Sequence, residues 1–285
     1  GEDTDVPAGD IGVGAREIGY LYGQYKRLTG RHEGTLTGKG LSWGGSRGRT
    51  EATGYGVVYF AENMLAERGE TLAGKICTVS GAGKVSIYAV EKLYQMGAKP
   101  VTVSDSNGMI YDGRGIDLEL LKRIKEVERG RLARYVEEHR GAVYTPVEDY
   151  PLGRNSVWSV PCQCAFPCAT ENELSDEDAR TLLNGGCICV CEGANMPSTQ
   201  AAADALLAAG IAYGPAKAAN AGGVAASQLE MAQNASMLQW SFEEVDSRLK
   251  NIMQTIFRTA SETAKEFGEP GNLVLGANIA GFRKV

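Results

Sequence analysis

Lys75-Ile76-Cys77-Thr78-Val79-Ser80-Gly81-Ala82-Gly83-Lys84-Val85-Ser86 is the stretch that decides the fold. It opens as a short apolar run of strand-favouring residues and is cut sharply by the glycine-rich turn. The period then changes: Val85, Tyr88, Ala89, Leu93 and Met96 recur at three- and four-residue steps, which is one face of a helix, and Gly97 ends it. Val101-Thr102-Val103 reads as a second strand, with Asp105 just past its end. A strand that turns directly into a helix leaves the first helical N–H groups unpaired, and glycines let a pyrophosphate approach them closely. An acid about 20 positions further on, here Asp105, is placed to accept from an adenosine ribose. The third small position is Ser86 rather than Gly or Ala, so the run is weak alone and gains its force from the strand, the helix and Asp105 around it.

Working outward, the chain downstream repeats strand, loop and helix. Val157 to Phe166 reads as a strand ending in Pro167-Cys168-Ala169-Thr170, and Ser175 with Asp178 marks a helix start. Cys187 to Cys191 reads as a strand ending in Glu192-Gly193-Ala194-Asn195, Gln200 to Ala209 as a helix, and Ile211 to Tyr213 as a further strand. This alternation implies an α/β fold with a doubly wound, mainly parallel, Rossmann-like sheet, its ligand lying beyond the carboxyl ends of the strands. From Asp117 a helix carries Leu120, Leu121, Ile124 and Val127 and is the most basic part of the chain, read either as a solvated face or as a neighbour of the cofactor strand. From Gly222 the chain reads as helical, with Ser241 and Glu244 as a capping box and a stripe of Val245, Leu249, Ile252, Ile256, Ala260 and Thr263.

Upstream, Val6 to Gly14 is a glycine-rich loop carrying Asp10. The next helix shows Ile18, Leu21, Tyr22, Tyr25 and Leu28 on one face, and Thr35 to Gly48 looks like a connector. The family resemblance carried by the longer motifs quoted below implies a remnant of a substrate domain over 1–46, a dinucleotide-binding domain with C-terminal helices over 47–268, and a return segment over 269–285.

With 285 residues, 43% hydrophobic and 22% charged, the chain has room for one large or two ordinary domains. A net charge of -6 without a basic block gives no electrostatic support to a nucleic-acid or anionic-membrane partner. No apolar run is long enough to span a bilayer and no signal-peptide pattern appears, so a cytoplasmic protein is expected. The C-x-C spacings among Cys162, Cys164, Cys187, Cys189 and Cys191 are expected to put sulfurs on one face of a strand. Without C-x-x-C pairs or nearby histidines they read as core thiols, and no metal is expected.

Several longer motifs carry a resemblance. Val6-Pro-Ala-Gly-Asp-Ile-Gly-Val-Gly-Ala-Arg-Glu-Ile-Gly-Tyr20, Arg49-Thr-Glu-Ala-Thr-Gly-Tyr-Gly56, Pro167-Cys-Ala-Thr-Glu-Asn172, Glu192-Gly-Ala-Asn-Met-Pro197 and Lys217-Ala-Ala-Asn-Ala-Gly-Gly-Val224 closely resemble the bacterial hexameric glutamate dehydrogenases. The resemblance implies two domains enclosing a cleft, hydride transfer from the α-carbon of L-glutamate to a nicotinamide cofactor, and release of ammonia and 2-oxoglutarate. It implies that Asp10 is the acid/base, that Gly9 and Ser227 meet the substrate, and that Ala8 and Val224 wall its pocket. It places Arg49, Thr53, Ala169, Thr170, Asn195 and Asn220 with the cofactor, alongside Gly81, Gly83, Lys84 and Val85 of the turn.

The bare rule reads Asp105 as selecting NAD. Ser104-Asp105-Ser106, with Lys125 and Arg131 on the next basic stretch, is instead similar to the NADP-linked members, so NADP is expected and NAD remains the alternative. Lys84, Ser86 and Gln163 depart from the family pattern; Lys84 either binds cofactor phosphate or is solvated. The resemblance also implies that the family's upstream half and last helix are missing, that the intact protein is a homohexamer, and that this chain alone binds cofactor weakly and turns over no glutamate. A dehydrogenase of another amino acid and a non-catalytic dinucleotide-binding module are the competing readings.

Overall fold

A computed structural model describes residues 1 and 3–285. In chain order its elements are α1 (Ala15–Thr29), α2 (Ala52–Glu67), β1 (Ile76–Val79), α3 (Lys84–Gln95), β2 (Lys99–Pro100), β3 (Thr102–Asp105) and β4 (Gly108–Tyr111). They continue with α4 (Leu118–Lys122), α5 (Tyr135–Glu138), β5 (Val143–Pro146), β6 (Cys164–Phe166), α6 (Asp176–Asn184), β7 (Cys189–Cys191) and α7 (Gln200–Ala208). The last are β8 (Ala212–Gly214), α8 (Ala216–Ala219), α9 (Gly222–Ser236), α10 (Phe242–Glu266) and α11 (Leu273–Phe282).

The chain divides into two compact units, Gly1–Ala52 with Gly222–Ile252, and Thr53–Ala221 with Met253–Val285. This differs from the boundaries expected at 46/47 and 268/269, because α9 and the start of α10 pack with the N-terminal segment. In that first unit Thr35, Thr37, Lys39 and Ser46 are buried, so the stretch expected to be a connector is part of a core. Lys39 Nζ lies 2.9 Å from Glu230 Oε1, and Ser46 Oγ accepts from Gln233 Nε2 at 2.7 Å, bonds that hold α9 to this stretch. In α1, Ile18 and Tyr22 pack with Leu36 while Leu21 and Leu28, expected on the same face, are exposed.

The second unit is built on a parallel five-stranded sheet of order β2-β1-β6-β7-β8, with β3-β4-β5 as an antiparallel three-stranded sheet. The strand expected at Val101–Val103 is therefore two pieces, and a side chain bridges the break. Thr102 Oγ1 accepts from Val79 N at 2.9 Å and donates to Val79 O at 3.0 Å, occupying backbone groups that a continuous ladder would have paired. The strand expected over Val157–Phe166 is only β6; Asn155 Oδ1 accepts from Val157 N at 3.1 Å and starts a 3-10 turn over Ser156–Ser159 instead. Gln163 fills the gap before β6 by accepting from Ile76 N at 2.8 Å, which gives that departure from the family pattern a use: it satisfies the first N–H of β1.

Side chains of Val157, Trp158, Ala165, Leu174, Leu182, Val190, Leu206 and Tyr213 form one hydrophobic cluster against α6 and α7. The α6 start expected from Ser175 and Asp178 is a full capping box. The buried stripe of α10 runs through Val245, Leu249, Met253, Phe257, Ala260 and Ala264, with the expected Ile252 and Ile256 only partly buried at its edge. Phe257 meets Phe60 of α2 edge-on at 5.6 Å between ring centroids.

All seven cysteines are free and buried. Cys77, Cys164 and Cys189 are register partners across β1, β6 and β7, whereas Cys162 and Cys187 precede their strands and join the cluster against α6 and α7. The shared face expected from C-x-C spacing holds only inside a strand, where the period is two. Among the described residues no group of three or more His, Cys, Asp or Glu side chains is arranged to hold a metal ion. No helix among them is long and apolar enough to cross a membrane.

Candidate active site

The turn after β1 is built for close approach. Gly81 has a φ of 80°, and a Cβ there would lie 2.4 Å from Ser86 Oγ and 2.9 Å from Cys168 O, so no side chain fits. Ser86 is buried and its hydroxyl donates to Ser80 O at 2.8 Å, so the serine in place of a smaller residue closes the turn upon itself. Gly83 is the N-cap of α3, and nothing lies within 4 Å of the position a Cβ would take. The first intrahelical bond is Ile87 N to Gly83 O at 2.9 Å, which leaves the N–H groups of Lys84, Val85 and Ser86 without a partner in the helix. Lys84 is exposed and Val85 half-buried beside this open backbone. Unpaired donors at a helix start beside an open glycine are geometry an anion can use.

At the end of β3 the carboxylate expected to greet a ribose is already engaged. Asp105 Oδ1 accepts from Asn107 N at 2.9 Å, and Oδ2 accepts from Leu132 N at 3.0 Å and lies 3.4 Å from Lys125 Nζ. Beside it Arg131 Nη1 donates to Ser106 Oγ at 3.0 Å in an exposed position. The basic helix expected from Asp117 is in fact α4 followed by a π-helical turn over Arg123–Val127, with Val127 exposed. That wider turn lets Lys125 Nζ reach both Gly130 O, at 3.0 Å, and Asp105. The Lys125 ammonium offsets the Asp105 charge, and the Ser106-Arg131 pair offers a phosphate a hydroxyl and a guanidinium.

Beyond β7 and β8 the chain brings Asn195 and Asn220 together, with Asn220 Nδ2 donating to Asn195 Oδ1 at 2.7 Å and to Ala194 O at 3.3 Å. Ala169 is half-buried and Thr170 exposed in the loop after β6, and Thr53 lies in the first turn of α2. One residue that the sequence motifs did not single out joins this group. Glu173 Oε1 accepts from Ala169 N at 2.9 Å and from Ser80 Oγ at 2.8 Å.

The first unit holds the remaining expected residues. Asp10 is exposed, and among the described residues its carboxylate makes no hydrogen bond or ion pair, so it is not a turn-capping aspartate. A Cβ on Gly9 would lie 2.5 Å from Val13 O, which fixes that position as glycine, and Ala8 pairs with Thr37 in an isolated parallel bridge. Ser227 is buried, whereas Val224 is 68% exposed on the first turn of α9. Arg49, expected with the cofactor, donates from Nε to Ser227 Oγ at 3.0 Å, and Thr37 Oγ1 lies 2.9 Å from the same oxygen. Burial pulls the Arg49 guanidinium down from its ordinary pKa and Glu230 offsets this in part, the behaviour of a cation short of a counter-ion. Thr37 and the buried Lys39-Glu230 pair escape sequence reading because their partners lie about 190 residues away, as in the Thr37 contact with a separation of 190.

A profile of the Glutamate/Leucine/Phenylalanine/Valine dehydrogenase family matches residues 44–285. The chain belongs to that family. Across all 285 residues it is 67% identical to the NADP-specific glutamate dehydrogenase of Helicobacter pylori, covering 64% of that protein. It is 52% identical to the NAD(P)-specific glutamate dehydrogenase of Xylanibacter ruminicola, covering 63% of it. A crystal structure of Plasmodium falciparum glutamate dehydrogenase superposes with a TM-score of 0.93 at 49% identity, over 99% of this chain and 60% of the other. This member of the dehydrogenase family thus spans less than two thirds of the length of the relatives it matches.

Proposed function

We propose that this chain carries the nucleotide-binding unit and part of the substrate-binding unit of an NADP-linked glutamate dehydrogenase, which converts L-glutamate to 2-oxoglutarate and ammonia. The observation that carries the reading is the saturated Asp105 beside the exposed Ser106-Arg131 pair, next to an open glycine turn. The names of the relatives support it. Bound there, the cofactor would supply a nicotinamide ring that accepts hydride from the substrate α-carbon. The backbone of Gly83, Lys84 and Val85 would hold its pyrophosphate, and Ser106, Lys125 and Arg131 its 2′-phosphate. Asn195 and Asn220, with Ala169, Thr170 and Thr53, would orient the ring.

On the substrate side, Arg49 and Ser227 make a recognition pair for the side-chain carboxylate of glutamate, which shifts Arg49 from the cofactor role expected of it. Gly9 and Ala8 present backbone to the substrate, and Val224 walls it. Asp10, whose carboxylate has no hydrogen bond or ion pair among the described residues, moves the proton between substrate nitrogen and water. Homohexameric assembly of the intact enzyme and a cytoplasmic location belong to the same proposal and rest on the family resemblance.

A substrate panel tests the reading. In an intact enzyme carrying this sequence, Ser227→Ala removes one hydrogen bond to a charged group, worth about 1.5–3 kcal/mol, so kcat/KM for glutamate is expected to fall roughly 10- to 100-fold. Activity on leucine, valine or phenylalanine should gain relative to glutamate. A wild type that prefers one of those apolar substrates would overturn the assignment of glutamate.

A further inference from the structure

In the sheet β1 has β2 on one side and β6 on the other, so the order in which the parallel strands are added reverses at β1. The crevice beyond the carboxyl ends of β1 and β6 is the switch point at which such a sheet takes its ligand. Asp105, the last residue of β3, which follows β2 in the chain, marks the adenosine half of a dinucleotide, which leaves the nicotinamide half on the side of β6 and β7.

At this switch point stands Glu173. Its Oε1 ties the end of β1, through Ser80 Oγ at 2.8 Å, to the loop after β6, through Ala169 N at 2.9 Å. Ser80 Oγ in turn accepts from Cys168 N at 2.8 Å. The carboxylate is half-buried and, among the described residues, has no ion pair with Lys, Arg or His. Burial pushes its pKa up to about 7, against the pull of the bonds from Ala169 and Ser80 and with a further push from Glu192. The titratable groups that interact with it are Cys168 in the same loop, itself pushed up by burial and by Glu173, and Glu192 after β7.

We infer that Glu173 matches the charge of the nicotinamide ring: its ionised form favours the cationic oxidised ring and its protonated form the neutral reduced ring, so the choice between NADP+ and NADPH follows pH. The inference rests on the nucleotide site proposed above. A ring cation stabilises an ionised neighbour, so NADP+ gains on NADPH as pH rises through the range of Glu173 and loses that gain below it. The 2′-phosphate also titrates, with a pKa of about 6, but it is common to both forms and cancels in their ratio.

The test is calorimetric titration of this chain with NADP+ and with NADPH at about pH 6 and about pH 8.5; the ratio of affinities is expected to move roughly tenfold toward NADP+ across that span, one pKa unit of differential interaction. Glu173→Gln keeps an acceptor for Ser80 and Ala169 but cannot ionise, so its ratio should stay flat. A flat ratio in the unmodified chain, or an equal slope in E173Q, overturns the inference while leaving the nucleotide site standing. Binding of neither nucleotide overturns both. Should E173Q fail to fold, proton release by the unmodified chain near pH 7 decides, read in buffers of different ionisation enthalpy: the 2′-phosphate contributes equally to both, so more release with NADP+ than with NADPH is expected, and equal release overturns the inference.

Discussion

Lys39→Met should lower the stability of the first unit by about 3–5 kcal/mol, because it leaves a buried carboxylate without its counter-charge. Lys39 and Glu230 have side chains only 1% and 0% exposed, with Nζ 2.9 Å from Oε1. Glu230 Oε2 also accepts from Gly38 N at 2.9 Å, and Lys39 Nζ donates to Leu36 O, so the pair is stitched into the backbone on both sides. Removing one charge cannot be relieved by water at this depth. Removing both can be nearly neutral, so Lys39→Met with Glu230→Leu should recover much of the loss. Urea unfolding followed by tryptophan fluorescence measures this, and a loss below about 1 kcal/mol would place the pair among weak surface bridges.

Asp10→Asn is the second large effect, and it falls on activity. In an intact enzyme with this sequence, removing the proposed acid/base should cut kcat about 10²- to 10⁴-fold. Stability should hardly move, since the Asp10 carboxylate is exposed and bonded to nothing among the described residues. Cofactor affinity should not change either. This split separates an enzyme from a non-catalytic dinucleotide-binding module, in which Asp10 has no task and its replacement has no effect on anything measured.

The second unit is legible in sequence where a local change of period signals it. Ile76 to Val79 followed by Gly81 and Gly83 carries its strand, turn and helix in one short stretch, and α3 begins where the spacing changes. Asp105 could be placed but not understood from the sequence, because its partners Lys125 and Leu132 arrive through a π-helical turn that no apolar spacing announces. Long-range pairing hides in the same way: nothing local marks Lys39 as the partner of Glu230, or Ser80 as the partner of Glu173. The overlong strand read before Phe166 has a different cause. Val157 and Trp158 are apolar because they enter the cluster under α6, from a 3-10 turn rather than from an extended chain.

The most direct measurement is calorimetric titration of this chain with NADPH and with NADH, repeated on Arg131→Ala. NADPH should bind at least about tenfold more tightly, consistent with a charge-assisted bond worth roughly 1.5–3 kcal/mol, and R131A should erase most of the difference. Equal or tighter binding of NADH, or a preference for NADPH that survives R131A unchanged, would contradict the assignment of Ser106, Lys125 and Arg131 to the 2′-phosphate.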